Sequence, residues 1–81
     1  HAPVHVLVIP KRHIINVAAA DASDVEALGE VLLACQEVAR KTGILESGFR
    51  VALNSNGDAG QSVDHLHAHV LGGRHLAWPP G

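Results

Sequence analysis

The periods at which apolar residues recur change several times along the chain, and each change marks an element. Val4-His5-Val6-Leu7-Val8-Ile9 is a β-branched, mostly apolar run closed by Pro10, which predicts a buried strand. Lys11 to Ala20 keeps no sustained period and reads as a connection, with some extended character at Ile14 to Val17. Val25, Leu28, Val31, Leu32, Cys35 and Val38 then recur at helical spacing, the stripe of a core-facing helix. Ser23 with Glu26 three residues on predicts a capping box at its start, and Asp24 suits the positive end of the helix dipole. Glu37 and Lys41 form a favourable pair one turn apart on the opposite face, and Gly43 supplies the stop. Phe49 to Asn54 reads as a second strand and Ser55 to Ser62 as a turn-rich loop. His65 to Leu71 reads as a third strand, ended by Gly72-Gly73, and the proline pair after Trp78 excludes helix there.

One long helix with an antiparallel sheet of about three strands is an α+β architecture, and residues 1–81 make a single domain. A chain this small buries only about 60% of the surface its unfolded form exposes, so its core is marginal. Open strand edges invite pairing with another chain. The expectation is a domain completed by association, by residues preceding His1, or by both.

Composition narrows the class. Hydrophobic residues are 47% and charged residues 17%, which excludes disorder by composition. No apolar run approaches the roughly 18 residues that span a bilayer, and no basic-then-apolar leader opens the sequence. Cys35, the single cysteine, leaves no disulfide framework or cysteine-rich zinc site, and on the apolar stripe it reads as a small buried hydrophobe. The reading is a cytoplasmic domain without a membrane partner. Net charge is −2, the basic residues are scattered, and Phe49 and Trp78 are the only aromatics, so no nucleic-acid footprint is indicated. Lys11 and Arg12 read as a solvated pair, and His13 and His75 as surface or structural residues.

The outlier is histidine, with seven in 81 residues. His65-Leu66-His67-Ala68-His69-Val70 alternates imidazole with aliphatic groups at period two. In a strand this puts all three imidazoles on one face and Leu66, Ala68 and Val70 toward the helix or core. Two chemistries fit. Three imidazoles can hold zinc with a fourth position open. Alternatively, a neutral imidazole attacks phosphorus while its neighbours handle charge and protons near neutral pH. The preceding loop favours phosphate: Gly57, Gly60, Gln61 and Ser62 offer backbone N–H groups able to converge on an anion, with a hydroxyl beside them.

Gly60-Gln61-Ser62-Val63, then His65-Leu66-His67-Ala68-His69-Val70-Leu71-Gly72-Gly73-Arg74, then Trp78-Pro79-Pro80-Gly81, resembles the histidine triad family, whose signature is His-φ-His-φ-His-φ-φ with φ hydrophobic. The Gly-Gly-Arg and Trp-Pro-Pro-Gly endings, together with Ala2 to Ile14, are similar to its nucleotide-binding, purine nucleoside phosphoramidase branch. The likeness runs from Ala2 to Gly81. Members of that branch carry a further N-terminal segment, which supplies much of their purine and ribose pocket and has no counterpart in this sequence. Asp64 stands where relatives usually carry an aromatic or aliphatic residue, and by alternation it points away from the triad.

The resemblance implies a homodimer with one continuous sheet, a purine nucleotide substrate, and no metal or organic cofactor. It implies hydrolysis of nucleoside 5′-phosphoramidates of the AMP-amine type, or of acyl-adenylates. His67 matches the nucleophile that becomes nucleotidylated. His69 matches the histidine that contacts phosphate and assists the leaving group, and His65 the first triad histidine, which orients the nucleophile. His5 matches a histidine packed beside the triad, Asn54 a residue near the ribose and leaving group, and Gly60, Gln61 and Ser62 the phosphate loop. Trp78 matches a tail that reaches toward the partner subunit's site. A non-catalytic nucleotide-binding protein and a zinc module built on His65, His67 and His69 are the alternatives.

Overall fold

A computed structural model describes residues 2–80; His1 and Gly81, the last residue of the tail motif, lie outside the described residues. Strands β1 (Val4–Val8), β2 (Phe49–Leu53) and β3 (Ala68–Gly72) form one antiparallel sheet in the order β1-β3-β2, and helix α1 (Val25–Lys41) packs on β3 and β1. The register sets Val6 and Val51 opposite Val70, and Leu7 and Ala52 opposite His69. Since successive strand residues face opposite ways, Val70 and its neighbours meet the helix while His5, Leu7, Ala52 and His69 share the other face.

The core is the layer between helix and sheet: Val31, Cys35 and Ala39 of α1 meet Leu66, Ala68 and Val70, with Ile14 and Ile44 closing it. The expected helical stripe is narrower than its apolar positions suggest. Val25 and Leu32 are 67% and 54% exposed, and Ala39 is fully buried in their stead. Both exposed residues lie on the flank of the stripe, beyond the reach of the sheet.

The helix starts earlier and by different residues than the expected box of Ser23 and Glu26. A 3-10 turn at Ala22–Asp24 precedes α1 and is capped by Asp21. The Asp21 carboxylate accepts from the Ser23 N–H at 2.8 Å, and the Asp21 N–H donates to Asp24 Oδ2 at 3.1 Å. Ser23 instead donates its hydroxyl to Asp21, and Asp24 is the acid at the third position. Arg12 also departs from expectation, since its guanidinium pairs with the buried Asp24 at 2.9 Å and fastens the connection to the helix start. At the other end, Thr42 N–H bonds to Val38 O, and Gly43 takes φ +78°, a conformation that favours glycine. Glu37 pairs with both Arg40 and Lys41.

The third strand begins at Ala68 rather than at His65. β1 ends at Val8 opposite Ala68, and Pro10 has no N–H with which to extend the ladder. The Leu66 N–H bonds instead to the Ile14 carbonyl at 2.6 Å, which binds residues 65–67 to the connection after β1. That connection forms no strand, yet burial alternates along it: Ile14 and Asn16 are buried, Ile15 and Val17 exposed. Among the described residues no helix is long and apolar enough to cross a membrane.

Candidate active site

Five of the histidines fall into two contacting groups. On the sheet face turned from the helix, His69 leaves β3 with its ring centroid 5.1 Å from that of His67, in an edge-on arrangement. His5 of β1 brings Nε2 to 2.8 Å from His69 Nδ1. Behind them, His65 turns to the connection: its Nε2 lies 3.1 Å from the Pro10 carbonyl, and its Nδ1 lies 3.2 Å from Nδ1 of His13. Because the strand starts only at Ala68, the three triad imidazoles do not surround one point as strict alternation implies. Among the described residues no group of three His, Cys, Asp or Glu side chains is placed to hold a metal ion, so the zinc alternative lacks a donor set.

Carbonyl oxygens only accept, which assigns the protons. His67 Nδ1 is 2.8 Å from the His65 carbonyl and therefore carries its hydrogen, leaving Nε2 with a lone pair in the neutral ring. His65 likewise donates through Nε2, so its Nδ1 accepts and His13 Nδ1 donates. Burial, and then the neighbouring His5 and His67, hold His69 below the ordinary histidine pKa, so it is neutral near pH 7.

The loop ahead of the histidines is held by its own hydrogen bonds. Asn56 takes φ +67°, and a 3-10 turn follows at Gly57–Ala59. Gly60 and Gln61, expected to aim their N–H groups at an anion, donate them to the Gly57 and Asn56 carbonyls at 3.0 and 3.1 Å. The Gln61 amide is likewise engaged, donating to Ile15 O and Val63 O and accepting from Asn56 N. Ser62 is exposed and makes no hydrogen bond among the described residues, so its N–H and hydroxyl are the groups left for a ligand. Asn54 is half-buried just past β2. Trp78 is 79% exposed, with Arg50 lying 6.0 Å from its ring and donating to Ala77 O.

One residue of this region, Asn16, escaped the sequence reading, while His13, read there as surface or structural, is both: it is exposed and contacts His65. Asn16 is 3% exposed and bonds to both Asn56 and Gln61. The one available signal was the alternation of Ile14-Ile15-Asn16-Val17, which places Asn16 on the same side as buried Ile14. A cavity of about 360 Å³ lies elsewhere, between the end of β1 and α1, lined by Val8, Pro10, Ala27, Val31 and Ala34. It contains none of these histidines.

A helix-backed sheet with imidazoles clustered on its free face, led by a braced loop, defines a histidine-based site. The chain belongs to the HIT domain family, which it matches over residues 1–76. It is 50% identical over 80 residues to an uncharacterized HIT-like protein of Synechococcus elongatus, covering 99% of this chain and 69% of that one. Among solved structures it is similar to a HIT family hydrolase from Legionella pneumophila, with TM-score 0.95 and 42% identity, over 100% of this chain and 72% of that one. A HIT family hydrolase from Clostridium thermocellum gives TM-score 0.89 and 46% identity, over 94% of this chain and 66% of that one.

Proposed function

We propose that this domain hydrolyses nucleoside 5′-phosphoramidates of the AMP-amine type, or acyl-adenylates, through a covalent nucleotidyl-His67 intermediate. One observation carries the reading: the His67 Nδ1–H is spent on the His65 carbonyl, which leaves Nε2 as a lone pair beside a second imidazole. The similarity to two HIT family hydrolases supports a hydrolytic reaction.

The steps follow from these groups. His67 Nε2 attacks the α-phosphorus. In a phosphoramidate the P–N bond breaks and the amine departs with a proton; in an acyl-adenylate the P–O bond to the acyl group breaks and a carboxylate departs. Bound phosphate charge opposes the desolvation that keeps His69 neutral, so His69 takes up a proton as the ligand arrives and passes it to the amine. Water then attacks the nucleotidyl-imidazole, gives its proton to His69, and the nucleoside monophosphate leaves. The Ser62 N–H and hydroxyl face the developing charge. Asn54 contacts the ribose and leaving group. His65 orients His67, and His5 orients His69 through their direct contact. No metal or organic cofactor enters any step. The reading includes a purine nucleotide as substrate and a homodimer, with Trp78 reaching toward the partner's site. Light scattering should give the mass of a dimer.

The test is His67→Ala against an AMP-amine substrate. Turnover should vanish while AMP binding survives, and intact mass after acid-free quenching should show a nucleotidyl adduct on the parent protein alone. Near-normal turnover in His67→Ala overturns the mechanism. AMP binding with neither adduct nor turnover in the parent protein identifies a non-catalytic nucleotide binder.

A further inference from the structure

Asn16 occupies a place in the fold that its exposure alone makes unusual. It is 3% exposed, and both hydrogens of its amide are donated to side chains of the loop. Nδ2 donates one hydrogen to Asn56 Oδ1 at 2.9 Å and the other to Gln61 Oε1 at 2.8 Å. Its own Oδ1 accepts from the Ala19 N–H at 2.8 Å, which fixes which end of the amide faces the loop. A buried amide satisfied this fully is rigid, because breaking either bond leaves a polar group without water.

We infer that Asn16 is the positioning residue that sets where the phosphate-holding loop stands relative to His67; the inference rests on the nucleotide reading of the site. Asn56 and Gln61 are the two ends of the loop, and both close on this one side chain. Asn56 holds φ +67°, a conformation L side chains rarely adopt, and is fastened three ways: by Asn16, by Gln61 Oε1 on its N–H, and by the Gln61 N–H on its carbonyl. Gln61 is tied to the same connection through Ile15 O at 2.8 Å, and to Val63 O at 2.9 Å. Two residues before Asn16, the Ile14 carbonyl holds the Leu66 N–H at 2.6 Å, next to His67. Residues 14–16 therefore grip both the loop and the histidine segment, and Ser62 lies between the two grips. Aspartate at 16 would match the volume but would oppose a carboxylate to two amide oxygens in place of two donors. Serine is too short to reach both partners.

The experiment compares affinity for AMP and for adenosine by NMR titration, in the parent protein and in Asn16→Asp, with thermal unfolding measured alongside. AMP affinity should fall about tenfold in Asn16→Asp, while adenosine affinity changes less than about twofold. Asn56→Gly removes one of the two acceptors but accepts the positive φ, and should cost about threefold in AMP affinity with the same selectivity. It carries the test if Asn16→Asp fails to fold. Equal losses for AMP and adenosine, or parental AMP affinity in a folded variant, overturn the positioning role. Failure of the parent protein to bind AMP at all overturns the nucleotide reading instead.

Discussion

His5 and His69 meet diagonally across the β1–β3 pair. The register sets His5 opposite Leu71 and His69 opposite Leu7, yet His5 Nε2 reaches within 2.8 Å of His69 Nδ1. Diagonal neighbours are within reach of long or ring side chains, so the contact is a property of the sheet and not of a loop. It covers part of the His69 ring and adds a like charge whenever both rings are protonated.

The contact fixes a titration. His69 is held below its ordinary value of 6.5 by burial first, then by His5 and His67. His5→Ala admits water and removes one charge, so the His69 pKa should rise toward 6.5, read from its ring C–H resonance. A fall or no change contradicts this account. Because the folded-state pKa is the depressed one, His69 favours the folded state fully above pH 6.5, and that contribution is lost as pH falls from there through the folded value.

Asp21 should govern a second, more acidic window. Hydrogen bonds from the Ser23 hydroxyl and N–H, helped by Arg12, hold its carboxyl below the ordinary 3.8. Its contribution is present above that ordinary value and disappears as pH falls through the lowered one. Asp21→Asn keeps an acceptor without the charge. It should lower the thermal midpoint at pH 7 and flatten the stability profile below about pH 4. An unchanged acid profile would show that another group dominates.

Gly72 should not accept a side chain. It lies on the helix face of β3, where a Cβ would fall 2.6 Å from Ile44 Cδ1 and 3.3 Å from Ile44 Cβ. Gly72→Ala should destabilise by about 1–3 kcal/mol through overpacking. In a domain this size that lowers the thermal midpoint by about 4–8 °C per kcal/mol. A gain in stability would mean that Ile44 moves aside freely.

Cys35 is 1% exposed, and burial pushes its thiol above the usual range. Alkylation by iodoacetamide at pH 8 should be slow in the folded protein and accelerate with denaturant in step with unfolding. A rate matching that of a free thiol in the absence of denaturant would place Cys35 at the surface.

The three strands, the long helix and the side on which Leu66, Ala68 and Val70 lie were legible because burial obeys the strand and helix periods. Val25 and Leu32 misled because apolar character does not say how wide the opposing sheet is. The cap shifted from Ser23 to Asp21 because both residue types cap well and a 3-10 turn moved the first bond upstream. The separation of His65 from the rest of the triad could not be read locally. It depends on Pro10 ending the ladder and on Ile14 capturing the Leu66 N–H from the far end of the chain. Asn16 was obscured for the same reason, since its partners come 40 and 45 residues later.

The bonds that hold this site join distant parts of the chain: Gln61 to Ile15 across 46 residues, His65 to Pro10 across 55, and His5 to His69 across 64. Each closes a long loop before its energy is recovered, and α1 lies within every one of these loops. The site therefore rests on contacts that span most of the chain and on no single local element. No nascent piece ending before residue 69 can contain it, and a backbone cut anywhere between residues 17 and 60 would leave its two halves to find each other as separate molecules.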